Sequence, residues 1–428
     1  MTANKSSLIK TMTLGCRLNT YESEVMRDHA SQHLKDEDVV IINTCAVTNE
    51  AERQSRQAVR KARRENPAAR IIVAGCSAQI HPETYASMPE VDRVLGNTEK
   101  MKADSFLPET SKKVLVNDIM NIRETAHHLI SGFESRTRAF IEIQNGCDHR
   151  CTFCSIPFGR GNNRSVPVAE IVRQVRHLVA EGCQEVVFTG VDITGYGADL
   201  PGAPTLGQMT RRVLAQVPDL KRLRLSSLDP SEVDEDIYRL LESDIRLMPH
   251  LHISLQAGDN MILKRMKRRH LREDAIAFCK KVRSIRPDVV FGADIIAGFP
   301  TETEEMFQNS LKIVLECNLT YLHVFPYSRR EGTPAAKMPQ VMGKEIKSRA
   351  ARLRKLGSQQ KNLFHKSQLG QKVSVLIEEK SKGHTSHFAP IRLETSRGRS
   401  FDKGENVIAY VTGYDDQGLT GKAVVENE

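Results

Sequence analysis

No run in the sequence approaches the roughly 20 consecutive apolar residues that a membrane-spanning helix needs, which argues against an integral membrane protein. The segment Met1–Lys10 lacks the apolar core of a secretory signal and passes straight into a strand-like stretch. There is no low-complexity tract. What remains, 39% apolar and 27% charged residues, is the composition of a globular protein, and a cytoplasmic location without a membrane partner is the expectation. In such a reducing compartment, nine cysteines argue against a disulfide framework and for metal or redox work.

At 428 residues the chain is too long for one ordinary core, so two or three domains are expected. The net charge of +9 permits a nucleic-acid partner without requiring one. Its distribution is more informative. Between Arg329 and Lys366 eleven Lys and Arg face only Glu331 and Glu345, and between Arg53 and Arg70 seven face only Glu65. From Ser367 to Glu428 the balance is nearly neutral, eight basic against nine acidic. Any one such cluster reads equally as a solvated helix face. Two of them flanking the same chemistry point toward a polyanion.

The first part of the chain alternates strands and helices. Lys10–Leu14, Val39–Ile42 and Ile71–Ala74 are short β-rich runs followed by polar helical stretches, with further strands at Val91–Leu95 and Val114–Val116. This predicts an open parallel α/β sheet with helices on both faces. Each of the first three runs ends at a cysteine, Cys16, Cys45 or Cys76, about one βαβ unit apart. Parallel strands would place all three sulfurs at one carboxyl edge, where open α/β sheets bind ligands.

Periodicity fades around Ile122–Ser135 and then resumes in longer units. Phe140–Gln144, Glu185–Thr189, Arg222–Ser226, Leu251–Leu255, Val289–Ile296 and Leu322–Pro326 read as six strands of a partial, TIM-like (β/α)6 barrel. Polar residues and glycines crowd their ends, the active face of such barrels. After a basic helix at Lys344–Phe364, strict alternation at Val373, Val375, Ile377 and Val407, Ala409, Val411 predicts a small antiparallel β-barrel.

The first barrel strand runs into Gly146-Cys147-Asp148-His149-Arg150-Cys151-Thr152-Phe153-Cys154. Three thiolates within eight residues can wrap one metal centre from a single loop. Zinc sites usually complete four ligands, whereas here the count stops at three. A [4Fe–4S] cluster normally takes four cysteines, so three would leave one iron open. The residues alone leave both metals open.

The Cys-x3-Cys-x2-Cys spacing, with Phe153 before the last cysteine, resembles the radical S-adenosylmethionine signature. Together with Leu14-Gly15-Cys16-Arg17-Leu18-Asn19, Asn43-Thr44-Cys45-Ala46-Val47-Thr48 and Ala74-Gly75-Cys76, the chain resembles the radical S-adenosylmethionine methylthiotransferase family over nearly its whole length. Within that family it is most similar to the branch acting on N6-threonylcarbamoyladenosine. The resemblance implies a methylthiotransferase amino-terminal domain at 1–125, a radical barrel with its basic connecting helix at 126–366, and an RNA-binding TRAM barrel at 367–428.

It further implies two [4Fe–4S] clusters, one on Cys147, Cys151 and Cys154 and an auxiliary one on Cys16, Cys45 and Cys76, with S-adenosylmethionine as radical source and methyl donor. Phe153 would pack near that cofactor. Thr189, Gly190 and Asp192 occupy the place of the motif that holds its amino group, although the pattern departs from the family's Gly-Gly-Glu. Ser226, Ser254 and Gln256 would reach ribose or carboxylate from the rim. Asp294 and Gly298 lie on the strand resembling the adenine side, and Glu302 caps the helix that follows. Cys183, Cys279 and Cys317 are read as packing residues.

The implied reaction is methylthiolation of carbon 2 of the modified adenosine at tRNA position 37. The partners would be the tRNA anticodon loop and an electron donor such as a flavodoxin or ferredoxin. Arg349, Arg352, Arg354 and Lys355 are expected to attract the RNA, while Arg160 and Arg164 either approach the anticodon loop or form structural salt bridges. The alternatives are methylthiolation of isopentenyladenosine in tRNA, of a ribosomal-protein aspartate, or a non-catalytic iron–sulfur RNA-binding module.

Overall fold

The computed structural model describes residues 8–108, 112–123, 137–394 and 400–424. Five parallel strands, β1 (Ile9–Thr13), β2 (Val39–Thr44), β3 (Arg70–Gly75), β4 (Arg93–Leu95) and β5 (Val114–Leu115), lie side by side in chain order. Strand β2 is buried on both faces. Val39 and Ile41 meet Met26 and Ala30 of helix Arg17–His33 and its C-cap Leu34, while Val40 and Ile42 meet Ala58, Val59 and Ala62 of helix Asn49–Glu65. The second helix has Thr48 as its N-cap, acidic residues in its first turn and Arg63 and Arg64 in its last, so its charges follow the helix dipole. The expected boundary at Ile122–Ser135 falls mostly outside the described residues.

Six central strands follow: β6 (Arg138–Glu142), β7 (Glu185–Thr189), β8 (Arg222–Leu225), β9 (His250–Gln256), β10 (Val290–Ala297) and β11 (Leu319–Pro326). Strand pairing is parallel within β6–β7–β8 and within β9–β10–β11, and a bridge between Leu223 and Leu247 helps join the two groups. The first and last strands do not pair, so the barrel stays open. Leu18, Tyr21 and Val25 of helix Arg17–His33 belong to the same core as Ala139 and Ile141 of β6. One helix therefore serves two cores.

The basic helix runs from Gly343 to Ser367 and packs along β11, with Gly357 close against the Leu322 side chain. Arg349, expected among the RNA-attracting charges, is instead buried and paired with Glu302 at 3.0 Å and Glu345 at 3.2 Å. Its residue row turns inward, a fact that charge counting cannot register. Glu302 likewise does not cap the following helix. Thr303 does so, accepting from the Met306 N–H, while Glu302 accepts from the Gly298 N–H and from Arg349.

The last strands, β12 (Lys372–Glu379), β13 (Lys382–Thr385), β14 (Pro390–Glu394), β15 (Asn406–Asp415) and β16 (Gly418–Ala423), close into a barrel in the order β12-β13-β14-β16-β15. The expected antiparallel pairing holds at every seam but one, where β14 runs parallel to β16. An odd ring of strands cannot alternate direction all the way round, so five strands force one parallel seam.

This small barrel docks at the amino ends of the central strands. Buried Glu185, at the start of β7, accepts from Arg138 and from Arg224 Nε (2.8 Å). Arg138 also pairs with Glu378 at 2.7 Å, Arg222 donates to Ser374, and Arg224 donates to the carbonyls of Thr385 and Ser386. Phe388 stacks on His250 at 5.3 Å and forms a floor beneath the central strands. Burial works against the charge on Glu185, yet its arginines hold its carboxyl down at about 2. A depressed folded pKa contributes stability above the ordinary carboxyl range and loses it as pH falls toward 2. Replacing Glu185 with Gln should therefore flatten the pH dependence of the unfolding midpoint between about pH 5 and 2 relative to the parent. Parallel curves from denaturant titrations would contradict this role.

Candidate active site at the carboxyl rim

The cysteine loop is pinched at its base, where Gln144–Asn145 pairs antiparallel with Arg164–Ser165. Backbone bonds fix its course: the Cys147 N–H donates to the Gly161 carbonyl, the Thr152 N–H to that of Met266, and the Cys154 N–H to that of Cys151. Cys151 is the electrostatic focus. Arg268 Nη1 lies 3.7 Å from its sulfur while Nη2 bonds Asp229 (2.6 Å) and the Ser254 carbonyl (2.9 Å). His149 hydrogen-bonds Cys151 and lies 3.2 Å from Asp192 and 3.5 Å from Glu232, and these contacts push it up to about 10. Burial opposes the Cys151 thiolate, but His149 and Arg268 hold this thiol below its ordinary value. Burial pushes Cys154 up to about 12, and burial with Asp192 raises Cys147.

That donor set suits an iron–sulfur cluster with an open iron. Three sulfurs share one loop, cations face one of them, and the three cysteines outside the two triads lie too far away to complete a fourth position. Cys183 lies beside Glu185 at the opposite end of the strands, while Cys279 and Cys317 face each other between helices. Arg268, Asp229 and Glu232 carry no motif in the sequence. Only their placement in the fold reveals them.

The expected cofactor residues divide into two groups. Thr189 and Gly190 end β7, and Gln144 Oε1 accepts from the N–H groups of Val191 (2.9 Å) and Asp192 (2.8 Å), which fixes the turn and brings Asp192 Oδ2 to 3.9 Å from the Cys147 sulfur. Ser226, Ser254 and Gln256 stand half-buried at the ends of β8 and β9, and Gln256 adopts a φ of +67°. Phe153 packs edge-on to Phe299 at 6.4 Å, in a cluster with Ile296. These residues share the rim with the cysteine loop. Asp294 is engaged instead by His252 (2.9 Å) and His323 (3.2 Å), which keep its carboxyl low despite burial. Gly298 faces Ile346 of the basic helix, where a Cβ would approach to 2.6 Å.

The second triad forms where β1, β2 and β3 end. Two glycines make it sterically possible. A Cβ on Gly15 (φ +108°) would meet the Cys45 sulfur at 3.1 Å, and one on Gly75 (φ +100°) would meet the Thr44 carbonyl at 2.4 Å. Asn97 donates to the Cys76 sulfur at 3.6 Å, and burial pushes Cys45 up to about 12. The short helix Ile156–Arg160, directly after Cys154, joins the two triads. Ser155 Oγ donates to the Ala46 carbonyl at 3.1 Å, and Gly159 lies against Cys76.

Below that helix sits a fully buried ionic network. Glu22 accepts from Lys100 (2.5 Å) and from Arg160 (2.8 and 3.1 Å), and Arg160 also donates to Asn19 (2.7 Å). Arg160 and Arg164 are both buried; Arg160 forms the structural salt bridge, to Glu22, whereas Arg164 donates to the carbonyls of Asn162 and Arg160. A cleft of about 520 Å³ lies elsewhere, between the start of β6 and the small barrel, away from both triads.

Removing Glu22 strands two buried cations. Glu22→Ala should cost on the order of 3–5 kcal/mol, whereas Glu22→Gln keeps two acceptor lone pairs and should cost less. Chemical denaturation of the two variants checks this, and an Ala variant as stable as the parent would remove the network from any structural role.

The geometry agrees with what related proteins show. A profile of the radical SAM superfamily matches residues 141–314, and one described as uncharacterized protein family UPF0004 matches residues 9–96. The chain is 57% identical over 90% of its length, and 90% of the relative's, to threonylcarbamoyladenosine tRNA methylthiotransferase MtaB of Rickettsia prowazekii. It is 35% identical, over 89% of this chain and 95% of the relative, to the protein of the same name from Aquifex aeolicus. A tRNA-2-methylthio-N(6)-dimethylallyladenosine synthase of Ehrlichia canis is 31% identical over 95% of this chain and 97% of its own. Among solved structures, the radical S-adenosylmethionine methyltransferase TsrM of Kitasatospora setae shares the fold, with a TM-score of 0.55 at 15% identity over 77% of this chain and 74% of that one. Superfamily membership brings S-adenosylmethionine and a [4Fe–4S] cluster with it. With relatives this similar across nine-tenths of its length, the chain belongs to the radical S-adenosylmethionine methylthiotransferase family.

Proposed function

We propose that this enzyme methylthiolates carbon 2 of N6-threonylcarbamoyladenosine at position 37 of tRNA. The observation that carries the reading is the meeting of the two cysteine triads across helix Ile156–Arg160, each at the carboxyl edge of its own sheet. Similarity to proteins named for that substrate supports it, at 57% identity against 31% for a protein named for dimethylallyladenosine.

In this reading Cys147, Cys151 and Cys154 hold the radical-generating cluster, and Cys16, Cys45 and Cys76 hold an auxiliary one. When bound, the clusters and S-adenosylmethionine supply the hydrogen abstraction and sulfur transfer that a carbon with no acidic proton and no leaving group demands. The chain's own residues do the rest. Asp192, Ser226, Ser254 and Gln256 line the rim where the cofactor's polar groups would lie, with Phe153 packed beneath. Arg268 and His149 fix the charge at Cys151. Helix Ile156–Arg160 sets the separation of the two centres, which alignment with a splayed-out base requires.

The RNA partner is the tRNA anticodon loop, whose unstacked bases suit entry into a rim. An electron donor such as a flavodoxin or ferredoxin would reduce the radical cluster, and the cytoplasm supplies both partners. Residues 1–125, 126–366 and 367–428 divide the labour among auxiliary centre, radical chemistry and RNA grip. No helix of the described residues is long and apolar enough to cross a membrane.

Mass spectrometry of tRNA nucleosides from a deletion strain tests the substrate. Loss of the methylthio group from threonylcarbamoyladenosine is expected, and its retention refutes the reading. The reconstituted enzyme should carry roughly eight iron atoms per chain, falling to roughly four on Cys45→Ala. An unchanged count would dismiss the auxiliary cluster. For RNA attraction, Arg354 and Lys355 are exposed, and exposed Arg352 has Glu304 as its one ion-pair partner among the described residues. Reversing these three charges should weaken tRNA binding and shallow its salt dependence by up to about three ions. Titrations at several salt concentrations give that slope directly.

A further inference from the structure

Arg17 follows Cys16 and opens helix Arg17–His33, yet its guanidinium is half-buried among the central strands. It lies 5.9 Å from the ring centre of Phe140 on β6 and 5.5 Å from that of Phe388. The charged groups it feels are Arg138, Arg224, Glu185 and Asp294. Neither carboxylate is free. Glu185 is held by Arg138 and Arg224, and Asp294 by His252 and His323. Among the described residues Arg17 has no ion pair and no side-chain hydrogen bond. An unpaired guanidinium between aromatic rings, with two more arginines nearby, is a strong attractor for an anion.

The guanidinium fork matches a carboxylate with two parallel hydrogen bonds. Its contacts place that fork inside the open barrel, between the Phe388 floor and Asp294, so a base whose reacting carbon lies at the carboxyl rim would reach it with the far end of its N6 substituent. The threonylcarbamoyl substituent of adenosine ends in a carboxylate, while an isopentenyl substituent is wholly apolar. We propose that Arg17 binds the threonyl carboxylate and is the residue by which the site separates these two substrates. Phe388, a residue of the small barrel, then helps hold that specificity residue by its ring face. The inference rests on the substrate reading above.

The test uses full-length reconstituted enzyme and anticodon stem–loop RNAs carrying threonylcarbamoyladenosine, either as the free acid or as its methyl ester. The parent should bind and turn over the acid about 10- to 100-fold better than the ester, the range of one charge-assisted bond. Arg17→Gln should lose that factor on the acid and treat acid and ester alike. Arg17→Lys, with its charge but no fork, should keep part of the preference. A parent indifferent to esterification overturns the proposal without any variant, and so does an Arg17→Gln enzyme that still prefers the acid. A parent that binds neither RNA and methylthiolates neither overturns the substrate reading itself, an outcome distinct from lost discrimination.

Discussion

The buried pairing of Arg160 and Lys100 with Glu22 is the constraint on which the site depends. Helix Arg17–His33 supplies Glu22, the segment after β4 supplies Lys100, and the turn after the radical-loop cysteines supplies Arg160. Charges so fully removed from water tolerate little displacement, because separation loses the attraction and hydrogen bonds that offset their lost solvation. The auxiliary triad and the radical loop are thereby held in one fixed relation. Packing alone, spread over flexible apolar side chains, would tolerate more sliding between two bodies than this network does.

The central strands carry a division of labour along their axis. Their carboxyl ends hold the cysteine loop, Arg268, His149 and the cofactor rim. Their amino ends are closed by the small barrel, with Glu185 clamped between arginines and Phe388 beneath. Asp294, His252 and His323 stand between the two layers. A barrel left open at one seam has less self-supporting structure than a closed one, and the floor supplied by the small barrel compensates from below. The small barrel is thus structural for the catalytic unit as well as a candidate grip on RNA.

Much of this was legible in the sequence because it is local. Cysteines at strand ends declare themselves by spacing, β-rich runs by composition, and the small barrel by alternation at Val373, Val375 and Ile377. The ionic network was not, since Glu22, Lys100 and Arg160 lie far apart in the chain, and the sequence offers a salt bridge for Arg160 as one of two readings with no partner named. The basic helix misled for the related reason that a charge count carries no direction: Arg349 counts like Arg354 but points inward to Glu302. Arg268 sits within a run of basic residues, Lys267-Arg268-Arg269, and only folding distinguishes the one beside Cys151 from its exposed neighbour Arg269. Asp294 shows the converse case, a position marked by resemblance whose immediate partners, two histidines, come from adjoining strands.

The helix Arg17–His33, shared between two cores, carries a consequence for synthesis of the chain. Its Leu18, Tyr21 and Val25 emerge from the ribosome well over a hundred residues before Ala139 and Ile141, the surface they cover. At roughly 5–20 residues per second, that apolar stripe waits several seconds without its partner. The nascent amino-terminal sheet is therefore a half-finished object that exposes a sticky helix edge. Its maturation is gated by translation of the central strands, and a ribosome stalled between the two would release a fragment destined for chaperones rather than a working module.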